Sequence, residues 1–436
     1  MNLTLRITRR ASDRLRAGHL WVYRSDVEAE HEIGIPPGAL VTIVDNREIP
    51  LGTALYSSSS QIAARLISHT AKLERAEYLI ELRERVASAL ALRRELAPLS
   101  AENNAHRLIF AEADNLPGII ADRYNDLVML QLLTQGTAQD DVRDILVQAL
   151  REHLKADDSL TIWERPDPRI RELEQLPAPA PGPLFTTAQP EQTPTTTTTF
   201  ILNRLRFQYD ASAGQKTGAF LDQRLNYAAA AQHVLASGRK SRTSGRGLRA
   251  LDVCTYQGGF ALHLAQVCSR VTGIDQSRAA LEAAERNLTL NPHISSRCEV
   301  DWVEADAFAL LRALDDAARN SAALGSLPIE AGAFDAIVLD PPAFAKSKRA
   351  AEAALRGYKE LNLRAVRLLA PGGTLITCSC SHHVSLADFT EAVAAAAADA
   401  KRRVQLLEIR AAAPDHPEVL TLPETRYLKC LICRVD

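Results

Sequence analysis

No stretch of this 436-residue chain approaches the ~18–20 consecutive apolar residues of a membrane helix, so a helical membrane protein is not expected. Met1–Arg10 is polar and holds no signal-peptide core, which makes a cytoplasmic location the expectation. The seven cysteines form an odd set, and reduced thiols fit them better than a disulfide framework. Cys430 and Cys433 have no second pair at ligand spacing, and the alternation Leu428, Cys430, Ile432 suits a core strand, so no metal is expected. The dinucleotide fingerprint G-x-G-x-x-G is absent, as is the lysine of a phosphate-binding loop, which argues against a nicotinamide dehydrogenase. Net charge is only −2, so the whole-chain balance announces no nucleic-acid partner.

The distribution of charge says more than its sum. Arg6, Arg9, Arg10, Arg14, Arg16 and Arg24 crowd the first 25 residues against a single acid, Asp13. A second basic run, from Arg239 to Arg249, precedes a glycine turn. Such patches bind phosphates even on a neutral chain, although a solvated face gives the same pattern. A chain of this length predicts two to four domains, at roughly 100–200 residues each. Residues 1–68 read as a small β-rich unit of short apolar runs separated by turn residues. Residues 69–176 read as α+β: Leu79, Leu82, Val86, Ala89 and Leu90 recur at helical spacing, and short strands follow. Residues 177–199, rich in proline and ending in threonines, read as a linker. From 200 to 436, strands ending near Asp252, Asp275, Asp306, Asp340 and Cys380 alternate with helical stretches at 258–268, 277–290, 350–369 and 386–400. That is the pattern of an α/β doubly wound parallel sheet, with Arg403–Ile409 and Tyr427–Cys433 as an antiparallel pair at its edge. Pro371-Gly372-Gly373 reads as the break between a helix and the next strand.

In such sheets ligands sit outside the carboxyl ends of the strands. The run containing Asp252, Tyr256, Gly258, Gly259 and Phe260 leaves its strand through a late glycine turn, with little cradle for a pyrophosphate. Asp275 is placed to take ribose hydroxyls, and Asp306 to accept from an adenine amino group. Singly, each acid reads as a helix cap. In order, three acids at successive strand ends point to S-adenosylmethionine. Two further ends, Asp340-Pro341-Pro342 and Cys378-Ser379-Cys380-Ser381, bring an acid and thiols to the same crevice.

These motifs together are specific. Gly214 to Arg224, Thr255 to Phe260, Asp340 to Phe344, Cys378 to Ser381 and Pro423 to Lys429 resemble the bacterial cytosine-5 methyltransferases of large-subunit (23S) ribosomal RNA. His19 to Tyr23 resembles that family's N-terminal PUA-like RNA-binding domain, and Asp114 to Tyr124 its middle domain. The resemblance implies a class I S-adenosylmethionine-dependent methyltransferase acting on ribosomal RNA. It departs at Asn203-Arg204, where the family carries an acid.

Carbon 5 of a cytosine becomes nucleophilic once a thiolate adds at carbon 6. The Ser-Cys-Ser ending resembles the family's and nominates Cys380, with Cys378 as the alternative. Strand alternation puts both on one side, so spacing does not choose between them. Asp340 is expected to hold the base edge and to border the cofactor. Arg14, Arg16 and Arg24 are expected on phosphates, with Trp21 or Tyr23 stacking on a base or buried, while Lys216 and Arg224 sit on a loop able to close over cofactor or RNA. Near the C-terminus Arg410, Asp415, His416, Glu424, Arg426 and Lys429 are candidates for the substrate side, His416 as a base or simply an exposed loop residue. The competing functions are an amino-group methyltransferase and a non-catalytic RNA-binding protein. The first wants an aromatic directly after the prolines, where Ala343 stands with Phe344 one later. Oligomeric state is not legible here, and a dimer stands as the expectation.

Overall fold

The computed structural model describes residues 3–28, 34–154, 159–188, 194–211, 219–241, 247–319, 333–345 and 348–436. The chain divides into two compact units. The first holds Met1–Phe200, Tyr209–Gly218 and Pro414–Thr425; the second holds Ile201–Gln208, Ala219–Ala413 and Arg426–Asp436.

The first unit opens with β1 (Thr4–Arg6), α1 (Arg9–Arg16), β2 (Trp21–Tyr23), β3 (Leu40–Val44), β4 (Pro50–Tyr56) and β5 (Ile62–Ser68). The sheet order is β1-β3-β4-β5-β2, and Leu5, Ile7, Leu15, Val22, Ile43 and Leu66 form its core. Next come α2 (Arg75–Leu96), β6 (Ala105–Phe110), β7 (Ile119–Tyr124), β8 (Leu127–Leu132), α3 (Asp140–Leu154), β9 (Thr161–Glu164), α4 (Pro168–Glu174) and β10 (Phe185–Thr186). They build a second five-stranded sheet, order β10-β9-β8-β7-β6, with its own core. In α2 the expected stripe is real: Leu82, Val86, Ala89 and Leu90 are buried. Leu55 and Ile67 of the first sheet also pack in the second core, so the two expected domains share one compact unit.

The proline- and threonine-rich tract is not uniformly a linker. Phe185–Thr186 pairs with β9, and β11 (Thr197–Leu202) starts inside the tract and forms a hairpin with β12 (Leu205–Asp210). The prolines stop at 194, and β-branched threonines beyond them favour extended pairing. Asn203 and Arg204, at φ 50° and 71°, make the two-residue turn whose left-handed pair matches strand twist.

The second unit continues with α5 (Arg224–Ser241), β13 (Arg249–Val253), α6 (Gly259–Leu264), β14 (Arg270–Asp275), α7 (Arg278–Thr289), α8 (Pro292–Ser295), β15 (Glu299–Glu304), α9 (Ala307–Arg319), β16 (Phe334–Leu339), α10 (Ala351–Leu368), β17 (Leu369–Ser379), α11 (Leu386–Ala400), β18 (Val404–Arg410) and β19 (Lys429–Val435). Its seven strands run β15-β14-β13-β16-β17-β19-β18: five parallel, with the expected antiparallel pair at the edge. Leu251, Val253, Ile337, Leu339 and Leu375 are buried among helices, which is why these strands read as unbroken apolar runs. Pro371-Gly372-Gly373 does not break the chain but lies within β17, with Gly372 at φ 80°. Strand order reverses between β13 and β16, so the crevice where such folds bind ligands opens at those two strand ends. No helix among the described residues is long and apolar enough to cross a membrane.

Candidate active site

The chain leaves β13 through a strained turn. Cys254 and Tyr256, neither of them glycine, sit at φ 64° and 51°, a cost that persists where surrounding structure demands it. Asp252 supplies that demand. Its Oδ2 accepts from Thr255 Oγ1 at 2.6 Å and from Ala261 N at 2.9 Å, tying the strand end to the first turn of α6. Burial pushes this carboxyl up to about 7, and its Oδ1 has no hydrogen-bond partner among the described residues. Gly258, at φ 81°, and Gly259 serve close packing: a Cβ on Gly259 would stand 2.5 Å from the Tyr227 ring. Asp275 Oδ2 accepts from Tyr256 N at 3.0 Å and its Oδ1 from Ser277 N at 2.9 Å. Asp306 is exposed and accepts from Ala309 N at 2.8 Å, capping α9.

A cleft opens here, lined by Phe207, Phe220, Tyr227, Tyr256, Phe260 and Asp340 among others. Of the expected cofactor residues, Tyr256, Gly259, Phe260 and Asp340 line it, while Asp252 and Gly258 lie behind, and Asp275 and Asp306 stand outside the lining. Among the described residues the lining carries aromatic faces and one carboxylate but no lysine or arginine. That donor set suits a nucleoside bearing a sulfonium, which aromatic faces attract, and offers nothing to a pyrophosphate. Sequence reasoning gave no role to Phe220 and Gln223, which lie within the motif read as a loop, or to Tyr227 just beyond it. Gln223 Nε2 donates to Asp340 Oδ2 at 3.1 Å, and Asn226 donates to Gln223 Oε1 at 2.6 Å, which fixes the amide. Burial, then the Asp340 charge, raises the Tyr227 phenol well above its ordinary value.

The thiols divide by surroundings. β17 ends at Ser379, so alternation along the strand does not extend to Cys380. Cys378 is fully buried and faces Cys430 across the ladder, and desolvation followed by that neighbour drives its thiol well up. Cys380 is half-buried past the strand end, its Sγ 3.9 Å from the carbonyl oxygen of Pro341. The acid-bearing end of β16 and the thiol-bearing end of β17 therefore meet. Ser379 Oγ donates to Tyr358 Oη at 2.9 Å, and Tyr358 Oη lies 3.0 Å from Ser381 Oγ, pinning both neighbours of Cys380 to α10.

The remaining expected substrate residues fall elsewhere. In the first unit Arg14 donates to Trp21 O at 3.1 Å and to Asp26 at 2.6 Å, Arg16 pairs with Asp45, and Arg24 bonds the carbonyls of Ser57 and Ser60. Trp21 is half-buried and donates to Glu112 at 2.9 Å, while Arg14 lies over the Tyr23 ring. Asp415 and His416 are buried, and Asp415 accepts from Arg107 N at 2.8 Å, so His416 is no exposed loop residue. In the second unit Arg224 is buried at the start of α5. Lys216 and its neighbours at 212–218 lie outside the described residues, as do 242–246 of the basic run.

Comparison with known proteins adds to this geometry. A PUA-like domain family matches residues 5–69, and an S-adenosylmethionine-dependent methyltransferase family matches residues 146–434. Relatives named ribosomal RNA large subunit methyltransferase I include one from Klebsiella pneumoniae (strain 342), 34% identical over 96% of this chain and 94% of that protein. Another, from Shewanella denitrificans, is 35% identical over 97% of this chain and 96% of that protein. Among solved structures, the methyltransferase SMU.776 complexed with SAH superposes with a TM-score of 0.74, covering 99% of this chain and 100% of that one at 18% identity, a likeness of fold.

Proposed function

This chain belongs to the S-adenosylmethionine-dependent methyltransferases of the ribosomal RNA large subunit methyltransferase I family, and from that premise we propose that it methylates carbon 5 of a cytosine in large-subunit ribosomal RNA through a covalent adduct with Cys380. The observation that supports this reading is the meeting of Cys380 with the Asp340-Pro341 strand end, whose Asp340 lines the cleft. When bound, S-adenosylmethionine supplies an electrophilic methyl group. The protein's part is to make the cytosine a nucleophile. The Cys380 thiolate adds to carbon 6, opening the ring's conjugation and placing electron density on carbon 5. Asp340, steered by Gln223, would pass a proton to ring nitrogen 3 as the sulfur adds, which neutralises the adduct, and take it back when the sulfur leaves. After carbon 5 is methylated, loss of its proton expels the sulfur and restores both the ring and the thiolate.

Cys378 is poorly suited to this role, since a buried thiol beside another thiol resists ionisation. RNA carrying 5-fluorocytosine has no carbon-5 proton to lose, so it should trap the protein covalently after methyl transfer. Cys380→Ala should abolish trapping and turnover together, and Cys378→Ala should leave trapping intact. Reversal of those two results would move the nucleophile to Cys378. Methyl transfer without trapping by the wild-type protein would reject the adduct in favour of amino-group methylation.

A further inference from the structure

Lys429 opens β19, is 5% exposed, and has no carboxylate within ion-pair distance among the described residues. Its Nζ donates to Ser381 O at 2.7 Å and to Val384 O at 2.8 Å, both neutral acceptors. Its backbone pairs with Ser379 across the ladder. Both chain neighbours of Cys380 are thus attached to this one lysine, Ser379 through the strand register and Ser381 through the ammonium. A buried ammonium with only carbonyls for company is costly, and a neutral donor would close the 381–384 turn as well. The charge calls for an anion.

We propose that Lys429 is a positioning residue whose ammonium holds Cys380 as a thiolate at neutral pH. The inference deepens the covalent reading above and rests on it for its place in the reaction. Around Cys380 the neighbouring elements bring groups of other kinds among the described residues. Asp340, beyond β16, is an acid and opposes a second negative charge; Tyr358, from α10, is occupied with Ser379 and Ser381; Cys378 and Cys430 beneath are buried thiols; and His382, the next residue but one, is exposed. Desolvation lowers Lys429 to about 8, and Cys380 is the side chain acting to raise it. The sign follows: below about pH 8 the ammonium is charged and favours the thiolate, and above that the support is withdrawn as Lys429 loses its proton.

The test is the pH dependence of Cys380 alkylation by iodoacetamide in the full-length protein, read by peptide-resolved mass spectrometry with Cys380→Ser as the blank. The wild-type midpoint should fall below the free-thiol value of about 8.5. Lys429→Met should raise it by about one unit, a roughly tenfold loss of alkylation rate near neutral pH, and Lys429→Arg should restore most of that loss. A purely structural lysine would change melting temperature and leave the midpoint alone, and equal midpoints in wild type and Lys429→Met overturn the proposal. If Lys429→Met does not fold, the wild-type midpoint decides, and a value at or above that of a free thiol also overturns it. Alkylation needs neither RNA nor cofactor. A lowered, lysine-dependent midpoint with negative 5-fluorocytosine trapping would therefore sink the covalent reading alone, and positive trapping with an unmoved midpoint would sink only the role of Lys429.

Discussion

His263 is a side chain that the fold requires to be neutral. Its Nδ1–H points to Gly259 O at 2.7 Å, and its Nε2 accepts from Asn203 Nδ2 at 3.0 Å, so a second proton would meet a donor. Burial lowers its pKa to about 4 from 6.5. Because the folded value lies below the unfolded one, the stability it contributes is complete above about pH 6.5 and is lost as pH falls towards 4. The difference amounts to roughly 3 kcal/mol. Urea unfolding of wild type should show that loss between neutral and acid pH, and His263→Gln should flatten it; parallel acid limbs would count against the assignment. Nothing in the sequence marks this residue, since an isolated histidine in a helix reveals neither its burial nor its partners. Asp340 and Cys380 were legible because each ends an apolar run. The hydrogen bonds by which Asp252 holds a strained turn were not, because spacing cannot tell a carboxylate aimed at the crevice from one turned back on its own backbone.

The same contrast holds among elements. Strands β13, β16 and β17 announced themselves as buried apolar runs, and α2, α7, α10 and α11 by helical spacing, whereas β15 is charged and only half-buried. Helix α5 escaped because its alanines, Ala229, Ala230 and Ala231, are all buried and draw no stripe. Helix α1 has only Ala11, Ser12 and Leu15 inside, too little for a period. Helix α9 carries a period in Leu310, Leu311 and Leu314, directly after the strand-end acid Asp306. The α6 start makes the element-level prediction. Gly259→Ala drives a methyl into the Tyr227 ring, and overpacking of this sort costs about 1–3 kcal/mol. Tyr227 also lines the cleft, so the variant should both melt earlier and bind S-adenosylmethionine more weakly by calorimetry. Unchanged affinity in a destabilised variant would separate Tyr227 from the cofactor.

At the scale of the whole molecule, a net charge of −2 means that any hold on RNA comes from local patches. Arg14 and Arg24 are engaged within the fold, whereas Arg9 and Arg10 on α1 are exposed. Replacing Arg9 and Arg10 by alanine should weaken RNA binding and flatten its log–log salt dependence by roughly 0.7–0.9 per lost phosphate contact. Filter binding over a salt series checks this, and an unchanged slope would exclude this face. The sequence could suggest where units begin and end, but not that they interleave, because interleaving is a matter of distant pairing. Residues 414–425 belong to the first unit, where Asp415 takes both the Arg107 amide and the Arg93 guanidinium. That segment leaves the ribosome more than two hundred residues after Phe200. During synthesis the Arg107 amide and one Arg93 N–H therefore wait for their Asp415 acceptors until nearly all of the second unit has been made. The first unit can thus be completed only after the strands of the methyltransferase sheet as far as β18 have been made, so the order of translation sets the catalytic strands ahead of the finished first unit.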